Sequence, residues 1–443
     1  MGIPDEFWIG FVIMVGFFLK LVYVSKLGYA SGTPVSGTWQ EAADAVRTGG
    51  HLDVISYIYS HHHLPTVDVR GLIGYSDPPF YYIICSLWME LLHRLLNWSA
   101  NVSLYCLMAL NVIYVMVGEC CGIGILKKFG VRGRKLVVAI LFLIFFPACY
   151  HMSAALDGSA MSFMFTMLAV NSALSWFGSR REKTLTTTAV ELGLGLLCSY
   201  WAVLALPAMI VLMVYAAGDG RRNQTPLRIQ FRNFGLIVGI MGLIWPVSLS
   251  IRFSLPLFYT EGRGALISGA ASSAAGRLKA PDGALLSHLH TVGEPLLESN
   301  IWAQTFKTAI VDFTGIDISL KGTYIITMLL LYVSIALCVL MHIMLFYTLF
   351  AANRIDRAHR RFLFFGYLAA LGIYIAACFV VPYTGTMDFK FVMFLTVFPL
   401  AGMSVCGSGD LSDNLFEKIT TWLGNAMILL LAFLTAFLFG FYY

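Results

Sequence analysis

The chain has 443 residues, of which 58% are hydrophobic and 12% charged, and its formal net charge is +5. A mean hydropathy of +0.77 lies well above the range of a soluble domain of this length. The small positive charge gives no footing for nucleic-acid binding. The 40 Gly and 14 Pro are spread through apolar runs rather than pooled in linkers, as in helices that lie in lipid.

Pro4, Asp5 and Glu6 stand where a signal peptide would carry basic residues, so the apolar run 7–25 reads as a retained first span. Further runs of spanning length lie at 102–126, 135–151, 159–177, 234–255, 321–350, 362–382 and 421–442. Residues 186–217 are long for one span and contain Gly193, Gly195 and Pro207, so they read as two short helices meeting near Ser199 to Trp201. Residues 391–405 make a further short span. The pattern predicts an all-α polytopic membrane protein of about eleven transmembrane helices. Nine cysteines lie almost entirely inside apolar runs, which argues against a disulfide framework.

Four clusters of cations set the orientation. They are Lys127, Lys128, Arg132, Arg134 and Lys135; Arg180, Arg181 and Lys183; Arg221, Arg222, Arg228 and Arg232; and Arg354, Arg357, Arg360 and Arg361. All four fall on the cytoplasmic side only if Pro78 to Leu96 does not cross the bilayer. That segment therefore reads as a membrane-surface helix started by Pro78 and Pro79, with Phe80, Ile84 and Leu87 toward lipid or the spans and Glu90 and Arg94 toward water. Residues 26–100 become a long extracytoplasmic first loop carrying surface helices, and 256–320 a late outer loop. The N-terminus is placed in the cytoplasm and the C-terminus outside. Residues 1–405 then form one transmembrane domain, followed by a cytoplasmic connector and the last helix over 406–443.

Ionisable groups inside spans are costly, which singles out Glu119 and Glu191. Each reads first as a buried carboxyl that stays protonated or pairs with a neighbouring helix, and Glu191 is close enough to the cytoplasmic end to reach it. Polar candidates are denser at the outer face: Glu41, Asp44, His51, Asp53, Asp68, Arg70, Asp77, Asp157, Asp388 and Lys390. A transport path would gather such groups at mid-bilayer, so this distribution favours a site opening outward. The run His61 to His63 does not converge on one ion without partners from elsewhere.

The order of features resembles bacterial GT-C membrane glycosyltransferases of the protein-O-mannosyltransferase type, glycosyltransferase family 39. The stretches that carry the resemblance are GGHLDVISYIYSHHHLPTVDVRG (49–71), YSDPPFYYIICSLWMELL (75–92), FFPACYHMSAALDGSAMSFMF (145–165), SNIWAQTFKTAIVDF (299–313) and VPYTGTMDFKFVMF (381–394). The resemblance implies a cell-membrane transferase that takes a sugar from a polyprenyl-phosphate donor at the outer face and passes it to an acceptor. It implies Asp157 with Glu41 or Asp44 as catalytic carboxylates, and Lys390 with Asp388 at the donor phosphate. It also places His51, Asp77 and Tyr81 at the substrate. It leaves open whether a divalent cation serves as cofactor, and it implies membrane lipid but no nucleic acid as partner.

Several positions depart from the family pattern. The stretch ASGTPVSGTW (30–39) lacks the usual first-loop acid, Asp157 stands two places before the matching position, held by Ser159, Asp77 replaces a His, and Lys390 replaces an Arg. These departures motivate a second reading, a relative that binds a lipid carrier or a partner enzyme without transferring sugar. A transporter is the third.

Overall fold

The computed structural model describes residues 5–27, 51–70, 72, 74–97, 100–223, 227–259, 267, 273–279, 299–311, 321–350, 356–381, 383–406 and 415–442. The regular elements among them are helical: α1 (Asp5–Leu27), α2 (His51–His61), α3 (Phe80–Leu96), α4 (Ala100–Lys128), α5 (Gly133–Phe145), α6 (Pro147–Ala154), α7 (Ser159–Ser179) and α8 (Glu182–Cys198). After a 3-10 turn over Tyr200–Ala205 follow α9 (Leu206–Asn223), α10 (Leu227–Phe253), α11 (Ala274–Leu278), α12 (Ile301–Ile310) and α13 (Lys321–Tyr347). The last three are α14 (Arg357–Val380, with a π turn at Phe362–Gly366), α15 (Val397–Cys406) and α16 (Leu415–Phe437).

Eight helical segments among the described residues are long and apolar enough to cross a bilayer, and α5 with α6 makes a ninth if the pair, bent by 41°, is one span. The other two expected spans fall on α8 and α15, of 17 and 10 residues, which are shorter than those segments. The bend has a local cause. Pro147 has no N–H to donate and pushes the residue before it out of the helical region, and Phe146 accordingly sits at φ −68°, ψ 128°. The break near Ser199 falls where the sequence places it: Ser199 is extended, at φ −160° and ψ 135°, between α8 and the 3-10 turn.

The bundle is built by α7 against α4 and α8, α8 against α10, and α13 against α15 and α16, with α1 and α16 both on α5. The helices leave much apolar surface uncovered, including Phe7, Phe11, Met14 and Phe18 on α1 and Ile240, Ile244 and Ile251 on α10. Faces of that kind are at home in acyl chains and not in water. Glu119 pairs with a neighbouring helix: Lys20 on α1 lies 2.9 Å from it, donates to the Ile144 carbonyl at 2.9 Å, and both side chains have 0% exposure. Glu191 lies beside Ser172 and within electrostatic reach of Lys128 near the end of α4.

Helix α3 starts at Phe80 after Pro79 and stops at Asn97, which takes the left-handed conformation at φ 51°. It buries Tyr81, Tyr82, Cys85, Met89 and Leu92, with Phe80 and Ile84 half-buried and Leu87 exposed. Leu87, Leu91 and Leu95 form an exposed apolar strip, flanked by the Glu90–Arg94 ion pair.

Candidate active site

The site is assembled by two turns that are far apart in sequence. The first joins α6 to α7. Asp157 accepts from the Ser159 backbone N–H at 3.0 Å, which ties its carboxylate to the first turn of α7, and the Ser159 hydroxyl bonds the same oxygen. Gly158 is needed here for close approach: a Cβ at this position would come within 2.1 Å of the Cys198 carbonyl at the end of α8. The break after Cys198 and the Asp157 turn are therefore packed as one unit.

The second turn precedes α15. Asp388 caps it by accepting from the Lys390 N–H at 3.1 Å, and the Phe389 N–H donates to Thr308 of α12 at 2.9 Å. This geometry aims the Lys390 ammonium back at the first turn. Its Nζ lies 3.0 Å from Asp157 and 2.9 Å from Asp388. Asp157 is 3% and Asp388 4% exposed, while the Lys390 side chain keeps 19% exposure, so the carboxylates are shielded and the ammonium is reachable from one side. Two carboxylates around one ammonium leave it with a formal charge of −1. Lys390 also borders a small recess with Ser159, Ser162, Thr166, Ser199 and Trp201.

Phe389, between the two charged residues, lines a separate cavity of about 380 Å³ with Phe146, Phe306, Leu337, Met341 and Leu371. The wall is apolar apart from a few hydroxyls and one imidazole. Thr305 bonds the Tyr374 hydroxyl at 2.9 Å, and His342 bonds the Tyr367 hydroxyl at 2.5 Å. The polar network and the apolar cavity thus meet at the single turn that carries Asp388, Phe389 and Lys390.

The first-loop candidates divide. Tyr81 bonds Asn111 at 3.1 Å, and Asn111 donates to the Ala155 carbonyl at 2.6 Å, just before Asp157. Burial raises the Tyr81 hydroxyl well above the ordinary phenol value, and the charge of Asp157 adds to the effect, so Tyr81 stays protonated. His51 and Asp77 form a second cluster through Tyr82: the Tyr82 hydroxyl lies 2.7 Å from His51 Nδ1 and donates to Asp77 at 3.1 Å. Tyr81 and Tyr82, neighbours on α3, point one to each cluster. Tyr82 was not singled out by the sequence, although it stands in the YSDPPFYYI stretch beside Tyr81. Asp53 accepts from Tyr75 at 2.8 Å. Glu41 and Asp44 lie outside the described residues.

A divalent cation does not fit the network as it stands. The position between Asp157 and Asp388 is held by the Lys390 ammonium, and no group of three His, Cys, Asp or Glu among the described residues could hold an ion. His61 and His63 turn their Nδ1 atoms to the main-chain carbonyls of Tyr57 and Leu64.

No protein-family model matches the chain, and no curated protein matches it. Among solved structures, it is similar to the crystal structure of ArnT from Cupriavidus metallidurans in the apo state, at 14% identity and a TM-score of 0.41, with 96% of this chain and 77% of that one covered. The crystal structure of ArnT from the same organism bound to undecaprenyl phosphate matches at 12% identity and a TM-score of 0.40, with the same coverage. Both likenesses are too weak to assign a function.

Proposed function

We propose that the chain is a membrane glycosyltransferase that moves a sugar from a polyprenyl-phosphate donor to an acceptor at the outer face. The observation that carries this reading is the junction of the two halves of the site: the Asp157–Lys390–Asp388 network, with both carboxylates buried, at the turn that also lines an apolar cavity of about 380 Å³. A prenyl chain needs apolar walls, and its phosphate needs a cation at their mouth. The sequence resemblance to GT-C transferases points to the same residues.

In this reading the acceptor attacks the anomeric carbon, its C–O bond to the sugar forms as the bond to phosphate breaks, and the electron pair leaves on the phosphate. Asp157 takes the acceptor's proton. Lys390 turns from Asp157 toward the departing phosphate, which frees the carboxylate for that proton, while Asp388 holds the lysine in place. Tyr81 keeps Asp157 oriented through Asn111 and Ala155. Inversion at the anomeric carbon is the outcome, since one displacement occurs.

The test is sugar transfer from polyprenyl-phosphate sugars by the purified protein in lipid. Asp157→Asn lowers the rate by about 10²–10⁴, the range for losing a catalytic base. Leu337→Trp, which fills the cavity, raises KM for the donor. Full activity of Asp157→Asn refutes the assignment of the base. Failure of the wild type with every donor, beside retained binding of a polyprenyl phosphate, favours the reading as a relative that binds without transferring.

A further inference from the structure

A second recess lies on the flank of the bundle, away from the site described so far. A lateral groove of about 540 Å³ runs between α1, α4 and α7, lined by Gly10, Met14, Ile113, Met116, Cys120 and Asn171. It is open to the side because α1 presents a glycine there: a Cβ on Gly10 would meet nothing within 4 Å. Gly10 stands in the first half of α1 and Cys120 in the second half of α4, so the groove runs toward the end of the bundle that carries Lys127 and Lys128. Its walls are apolar until that end, where Asn171 packs beside Gly124.

The polar end is incompletely satisfied. Lys128 reaches back along α4 and bonds the Asn171 carbonyl, the Asn171 Oδ1 at 2.6 Å and the Ser175 hydroxyl at 2.5 Å. All three acceptors are neutral. Among the described residues no carboxylate lies within ion-pairing distance of Lys128, and Glu191 acts on it only from farther away. The Asn171 side-chain amide spends its oxygen on Lys128, while its N–H groups have no partner among the described residues and stand at the groove. Lys127, exposed beside Lys128, adds a second cation.

We propose that this groove binds one anionic glycerophospholipid from the leaflet that borders the Lys127–Lys135 turn. An acyl chain lies along Gly10, Met14 and Met116, the Asn171 amide donates to an ester carbonyl, and the headgroup phosphate meets the ammonium groups of Lys128 and Lys127. The order of groups from mid-bilayer outward, apolar wall, amide donor, cation, is that of such a lipid read from its chain to its head. A second copy of the chain fits the groove less well, because in the same membrane orientation its own Lys127 and Lys128 would come to the same level and repel.

The test is native mass spectrometry of the full chain released from detergent, titrated with dioleoylphosphatidylglycerol and with dioleoylphosphatidylcholine. The wild type retains one phosphatidylglycerol at least about tenfold more tightly than phosphatidylcholine, the margin expected of two lysines near an anionic headgroup. Lys128→Gln keeps donors for Asn171 and Ser175 without the charge, removes most of that preference and leaves phosphatidylcholine binding unchanged. Gly10→Phe fills the groove and weakens both lipids about tenfold; it replaces a helical glycine with a better helix former where nothing is displaced, so the fold is retained. A wild type that binds the two lipids alike overturns the proposal, as does a preference intact in Lys128→Gln or a lipid adduct intact in Gly10→Phe. Displacement of phosphatidylglycerol by glycerol 3-phosphate assigns the cations to a soluble anion and overturns the lipid. A dimer that forms without added lipid and is lost in Gly10→Phe assigns the groove to a second copy and overturns it equally.

Discussion

Replacing Lys390 by Met separates the electrostatic role of the network from its shape. The ammonium lies 3.0 Å and 2.9 Å from two carboxylates that are almost fully buried, and the Met side chain fills similar volume without charge. The network changes from a formal −1 to −2, with both carboxylates left out of water and facing each other. Breaking a buried pair in this way costs about 3–5 kcal/mol, because the orphaned charge is not rehydrated. Asp157→Asn acts differently. It leaves the Lys390–Asp388 pair intact and brings the local charge to zero, so its cost is that of weakened hydrogen bonds, about 1 kcal/mol. The double variant Lys390→Met/Asp157→Asn returns the network to −1 and regains part of the loss. Thermal unfolding followed with a thiol-reactive fluorophore suits the protein, whose nine cysteines are all free and include the buried Cys85, Cys149, Cys198, Cys378 and Cys406. Lys390→Met lowers the midpoint by about 3–5 °C, and the double variant is more stable than that single variant. A Lys390→Met protein as stable as the wild type, or a double variant no better than Lys390→Met, refutes the reasoning.

Two further predictions concern the scaffold and its orientation. Lys20→Met leaves Glu119 unpaired at 0% exposure and destabilises by about 3–5 kcal/mol, whereas Lys20→Met/Glu119→Gln recovers most of it; thermal unfolding in detergent reads both, and equal loss in single and double variants contradicts the pairing. The cation-rich turn after α4 is expected in the cytoplasm, so a cysteine at Gly130, where an added Cβ meets no neighbour, stays unlabelled by an impermeant thiol reagent in intact cells. Labelling there inverts the topology.

The spans and the break near Ser199 were legible in the sequence because their causes are local: apolar length gives the spans, and the length of 186–217 requires the interruption. The bend at Pro147 was not, because 135–151 reads as one apolar run and only the extended Phe146 shows the break. The convergence of Asp157 with Lys390 could not be read from either segment. It depends on Gly158 meeting Cys198 and on Thr308 holding Phe389, contacts between elements with no periodic signature, and only the resemblance placed the two residues in one site. The partner of Glu119 was hidden for a different reason: Lys20 stands near the end of an apolar run, where a lysine ordinarily reaches out to the interface, and it is packing against α4 and α5 that turns it inward. The sequence left the rotation of α3 open, because apolar residues on most sides do not fix it; Asn111 and the Asp77–His51 cluster, reached by Tyr81 and Tyr82, set its buried face.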